Sequence, residues 1–117
     1  MPGITIELAA GEQYGGSVLN DDGTVKHHIV LLPETGKDLE WEEAKAWAAE
    51  QGGMLPTRLE QSLLFANLKP HFEAAAYWSA DESSASYAWC QYFHDGRQGT
   101  SHKNYELCAR AVRRLIA

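Results

Sequence analysis

The chain has 117 residues and a formal charge of −6 with its histidines neutral, a length that fits one domain whose single core needs neither disulfide nor metal support. The charge is lopsided, with 11 acids against 4 bases in residues 1–60 and 5 against 6 in residues 61–117. A nucleic-acid partner requires a broad basic footprint, which Arg110, Arg113 and Arg114 alone do not supply, and the apolar run Ile29–Leu32 is far too short to span a bilayer, so neither nucleic acid nor membrane is an expected partner.

The opening "ITIEL" alternates, which predicts a strand with Ile4, Ile6 and Leu8 on one face. The same segment lacks the basic region and apolar stretch of an export leader, so the expected compartment is the cytoplasm of the producing cell. Residues 17–32 read as a two-stranded hairpin around "NDDGT", because Asp22-Gly23 offers the positive φ that tight turns require; Pro33 is expected to close it. His27 and His28 fall on opposite faces of the second strand, one expected exposed and the other packed.

In "DLEWEEAKAWAAEQGG" the residues Trp41, Ala44, Trp47 and Ala48 recur at helical spacing, with Asp38 as the expected cap and Gly52-Gly53 as the stop. A second helix opens at "LPTRLE", where Thr57 and Glu60 have the spacing of a capping box, and ends before Pro70. The last third returns to strands. "YAWCQYFHDG" places Tyr87, Trp89, Gln91 and Phe93 opposite Ala88, Cys90, Tyr92 and His94, and "ELCARAVRRL" is the final strand. Helices grouped between two sets of strands predict an α+β fold. Cys90 and Cys108 lack zinc-type spacing and are expected to be reduced, buried thiols.

The stretches "GGMLPTRLE", "YWSADESSASYAWCQYFHDG" and "CARAVRRL" resemble, in order, the landmarks of the DUF1566 family, the C-terminal domain type of a Legionella collagen-like adhesin. The likeness covers residues 39–114 as a family core, preceded by the hairpin region 1–36, within one domain over 1–117. It implies a C-type-lectin-like fold, with two helices packed on a small antiparallel sheet and an N-terminal β-hairpin. Short members of this kind resemble phage and prophage genes, so the resemblance implies a non-enzymatic binding module, cytoplasmic or virion-associated, with a protein or glycan as partner. Neither the Glu-Pro-Asn nor the Gln-Pro-Asp triplet of calcium-dependent sugar readers is present, and no cofactor is expected.

Within that reading, Trp78 and Trp89 are expected in the core, and the contact surface is expected in a loop over 94–105. Its candidate ligand-binding residues are His94, Asp95, Arg97, His102 and Tyr105, flanked by Tyr77 and Tyr87. His94, Asp95 and His102 would hold a metal only if that loop folded back on itself, and their spacing matches no metal-site template, so no metal is expected. Arg110, Arg113 and Arg114 are expected to pair with acids of the first strands, such as Glu7. Two other readings stand beside this one: an assembly protein that works by forming a homo-oligomer, and a small metal-dependent enzyme built on His94, Asp95 and His102.

Overall fold

The computed structural model describes residues 5–116. Among them are strands β1 (Gln13–Leu19), β2 (Val25–Leu39), β3 (Ala76–Glu82), β4 (Tyr87–Tyr92), β5 (Gln98–His102) and β6 (Leu107–Ile116), with helices α1 (Trp41–Glu50) and α2 (Arg58–Leu68) between β2 and β3. The fold is α+β, as the grouping of elements predicts. The strands form one sheet in the order β1-β2-β6-β3-β4-β5. Eight register pairs fix β6 antiparallel to β2, and that direction leaves it parallel to β3, which it meets at the single pair Tyr77 and Cys108. The sheet is therefore mixed rather than wholly antiparallel.

"ITIEL" does not make a strand. Residues 5–9 have no regular structure, and Ile4 lies outside the described residues. Instead, Arg113, which is paired with both carboxylate oxygens of Glu12, donates a hydrogen bond to the Glu7 carbonyl at 2.9 Å. The hairpin forms as predicted around Gly23, at φ 87°, with Asp22 Oδ1 accepting from the Thr24 backbone N–H. Its second strand runs on through Pro33, however. Pairing with β6 breaks between Leu31 and Thr35, and a proline placed at such an irregularity leaves no ladder donor missing.

Each helix covers one face of the sheet. Alternation along the strands sends Leu32, Trp78, Ala88, Cys90, Ala109 and Ala111 against Trp41, Ala44 and Ala48 of α1. The other face sends Val18, Ile29, Leu31, Tyr77, Phe93 and Val112 against Leu64 of α2. Trp78 is fully buried, with its indole N–H donating to the Leu39 carbonyl at 2.8 Å. Trp89 is not core: it is half-buried at the sheet surface under the Arg58 guanidinium, 3.5 Å from the ring centroid.

The helix ends follow local chemistry. Thr57 and Glu60 form the predicted box, with Thr57 Oγ1 accepting from the Glu60 N–H at 3.2 Å and Glu60 Oε1 accepting from the Thr57 N–H at 2.9 Å. Helix α1 begins instead at Glu40, whose N–H donates to Glu43 Oε1 at 2.9 Å. Asp38 is drawn into the end of β2 with φ 57°, a conformation that a helix cap does not adopt. Pro70 falls in a short 3-10 turn, Lys69–His71, that continues directly from α2.

Gly53 follows α1 where the chain returns to pair with β6, and Met54 and Val112 exchange backbone hydrogen bonds of 2.9 Å in each direction. A Cβ at Gly53 would run into the Val112 carbonyl and the Leu32 side chain. Gly53→Ala is therefore expected to destabilise the fold by about 1–3 kcal/mol. Chemical denaturation compared with the wild type measures it, and an unchanged midpoint would show that the contact relaxes freely.

Candidate functional site

The seven sequence-predicted site residues fall in three places. Tyr77 is in the core, 1% exposed, its ring edge-on to Phe72 and Phe93 with centroids 5.1 Å from each. Its hydroxyl accepts from the Glu73 N–H at 3.0 Å, and burial pushes its pKa up. A partner cannot reach it. Nothing local in the sequence says which face of β3 is covered, and α2 covers the one that carries Tyr77.

The other six divide because residues 94–105 are not one loop. They comprise a turn after β4, the strand β5 and a second turn before β6. In the antiparallel β4–β5 pair, Tyr87 opposes His102 at one end and Gln91 opposes Gln98 at the other. His94, Asp95 and Arg97 thus stand on the turn beyond Gln91, and His102 lies roughly 13 Å or more away along β5. The three residues of the metal reading do not converge, and no group of three His, Cys, Asp or Glu side chains among the described residues is placed to hold a metal ion.

At the Tyr87 end the side chains assemble into a ridge. The Tyr87 and His102 rings lie 4.3 Å apart and the His102 and Tyr105 rings 5.1 Å apart, while the Tyr87 hydroxyl and His102 Nε2 share a 3.0 Å hydrogen bond. Tyr105 is 54% exposed and Tyr87 37%. Trp89 is two residues along β4 from Tyr87, so it shares the face and extends the row, with Arg58 lying over it. Just below, Lys103 pairs with Glu82 and donates to the Ala85 carbonyl at 2.9 Å, which pins the turn that carries Tyr105.

At the turn end, Asp95 Oδ1 accepts from the Arg97 N–H at 2.9 Å, and that hydrogen bond, helped by the nearby His94 and Arg97 charges, holds the exposed carboxyl below its usual range. His94 Nε2 lies 3.3 Å from Asp95 Oδ2, and His94 lines a shallow cleft of about 420 Å³ with Lys69, Pro70, Phe72, Ala74 and Phe93. These groups are mutually paired at the surface. They form a solvated turn beside an aromatic wall.

A third cluster escaped sequence reasoning. Glu60, 1% exposed, receives Arg114 in a two-pronged contact, Nε to Oε2 at 2.7 Å and Nη2 to Oε1 at 2.6 Å, and His27 Nε2 lies 2.8 Å from Oε2. The sequence marks Glu60 only as a cap, 33 residues from His27 and 54 from Arg114. Both histidines are buried, contrary to expectation: His28 turns to the other face, where its Nδ1 meets the Tyr14 hydroxyl at 2.8 Å and Ser17 Oγ at 3.0 Å. Of the three arginines only Arg113 pairs with an acid beside the first strand as expected, Glu12 rather than Glu7. Arg114 takes Glu60 from α2, and the buried Arg110 is held by the carbonyls of His71 and Leu32 at 2.6 and 2.7 Å with Phe72 beneath it.

The two thiols are unpaired, as expected, but only Cys90 is buried and Cys108 is half-buried. Cys90 is on β4 and Cys108 on β6, with β3 between them, so their backbones are about 10 Å apart, beyond disulfide reach. They also face opposite sides of the sheet, and burial raises the pKa of each.

No protein-family model matches the chain, and no curated protein shows significant similarity to it. No helix among the described residues is long and apolar enough to cross a membrane.

Burial alone would raise the Glu60 carboxyl, but the hydrogen bonds from Arg114, the Thr57 N–H and His27 outweigh it and bring its pKa from 4.5 to about 2. A pKa lowered in the folded state stabilises the protein above the unfolded value, and that contribution is lost as pH falls from 4.5 toward 2. Glu60→Gln is expected to cost about 3 kcal/mol at pH 7, with the deficit against wild type shrinking toward pH 2. Urea titrations across that range test it; a deficit independent of pH would remove Glu60 as the titrating group.

Proposed function

We propose that the protein is a non-enzymatic binding module, C-type-lectin-like in fold and of the DUF1566 type, that recognises a protein or glycan through the ridge of Tyr87, His102 and Tyr105. The observation that carries this reading is the exposure of a row of rings in mutual contact, each tilted against the next. Folding normally buries such surface, and here the rings pack on one another at the rim with their outer faces open. Each ring has an apolar face and a polar tip, and that combination suits the C–H faces and hydroxyls of a sugar or the mixed surface of a protein loop.

The frame supports the same reading. One helix lies on each face of the sheet, and the first and last strands are brought into the same half of it, with Arg113 of β6 bonded to Glu12 beside β1. The resemblance to phage and prophage genes supports a phage-related partner, met in the producing cell, in a virion or on a host surface. The functional weight moves from the 94–97 turn to the far end of the same hairpin, where Tyr87 and His102 face each other across the β4–β5 pair.

Tyr87→Ala combined with Tyr105→Ala is expected to weaken binding to a panel of bacterial surface glycans and envelope proteins by tenfold or more. The melting temperature should move little, since both side chains are at the surface. His94→Ala with Arg97→Ala is the comparison. Loss of binding in the turn variant with retention in the ridge variant would move the site to the turn.

A further inference from the structure

The opposite edge of the sheet is formed by β1, the terminal strand beyond β2. Every second residue of an edge strand turns its N–H and C=O away from the sheet, and natural edges are commonly blunted by lysine or proline. The β1 sequence, "QYGGSVL", has neither and carries no charge, and its only irregularities are register shifts against β2 between Tyr14 and Gly16 and between Val18 and Leu19. Helix α2 stands beside it. Ser17, Val18 and Leu19 of β1 and Leu59, Ser62 and Leu63 of α2 line a cleft of about 390 Å³, within the range of about 300–1,000 Å³ common to ligand sites. Leu19 and Leu59 are 57% and 56% exposed across its mouth.

The cleft is held open by fixed parts. Asn67 Nδ2 donates to the Gly15 carbonyl at 2.8 Å, and a Cβ on Gly15 would press on Ile29 and Leu64, so α2 is seated on the β1 bulge at one end. The other end, at Leu19, runs straight into the exposed acids Asp21 and Asp22 of the hairpin turn. A strand edge, an apolar wall from a helix and an acidic terminus therefore lie in one line.

We propose that this edge accepts an extended segment of a partner protein as an added strand, antiparallel to β1. Alternate apolar side chains enter the cleft, and a lysine or arginine near the amino end of the segment meets Asp21 and Asp22. Antiparallel pairing is the more stable kind, and it brings the amino end of the incoming strand to the acidic turn. Charge selects this occupant over a second copy of the chain. Each copy carries −6, with seven net negative charges in residues 1–60, so edge-to-edge pairing about a two-fold axis would bring two negatively charged halves together.

Fluorescence anisotropy with a labelled octapeptide, Lys-Val-Ser-Val-Thr-Val-Ser-Gly, tests this on the full chain. Saturable binding that weakens with added salt is expected, along with a loss of tenfold or more in Leu59→Glu. Leu59 is exposed, so that variant should fold, and an unchanged thermal melt checks that it does. The same peptide with proline at its second and fourth positions should not bind, and the Tyr87→Ala, Tyr105→Ala protein should bind as well as wild type, which separates this edge from the ridge. Absence of binding, or binding indifferent to Leu59→Glu, overturns the proposal. So does a dimer in sedimentation that Leu59→Glu abolishes, because the second copy would then hold the cleft.

Discussion

A carboxylate without solvent has to be matched by donors, and Glu60 draws three separate parts of the chain to itself to meet that requirement. His27 comes from β2, Arg114 from β6 and the Thr57 N–H from the start of its own helix. Leaving one of these partners out would strand a buried charge, an outcome that costs several kcal/mol in proteins, so the three elements are fixed in position together. The hairpin, the central strand and α2 are locked at one point.

The other half of the sheet is joined to α2 mainly by side-chain amides, beside the Arg58 guanidinium over Trp89 and the Asp81 carboxylate that accepts from the Arg58 N–H at 2.8 Å. Gln98 Nε2 donates to the Arg58 carbonyl at 2.7 Å and to Gln91 Oε1 at 2.8 Å, and Gln91 Nε2 donates to the Gln61 carbonyl at 2.9 Å. Gln61 Nε2 in turn reaches the carbonyls of Tyr77 and Trp78, both at 3.1 Å. The first turns of α2 thus hold β2 and β6 on one side and β3, β4 and β5 on the other. A helix so anchored is a rigid support for surfaces at both margins of the sheet, the aromatic ridge by β5 and the strand edge at β1. Rigidity of this kind lowers the ordering cost of binding.

Local signals were legible where the chemistry itself is local. The turn at Asp22-Gly23, the Thr57–Glu60 box and the alternation of Trp89 and Gln91 with Ala88 and Cys90 are set by residues within a few positions of one another. Alternation at "ITIEL" misled because a strand also needs a neighbour, and this segment has Arg113 contacts in its place. Trp89 misled for a related reason: its period fits a covered face, yet what covers it is Arg58 from a helix 31 positions earlier rather than apolar core. The candidate site was legible as a set of residue types and not as a place, since β5 lies unmarked within "HDGRQGTSH" and carries His102 away from His94.

By itself the sequence determined the α+β class, the two helices, the hairpin at Asp22-Gly23 and the alternation along β4, because periodicity, turn chemistry and capping act over a few residues. Tertiary structure alone decided the insertion of β6 between β2 and β3, the separation of Cys90 from Cys108, the burial of Tyr77 and the meeting of His27, Glu60 and Arg114. Those outcomes depend on which faces come together across the whole chain. Burial and the matching of buried charge are properties of that assembly, and no single stretch of sequence contains them.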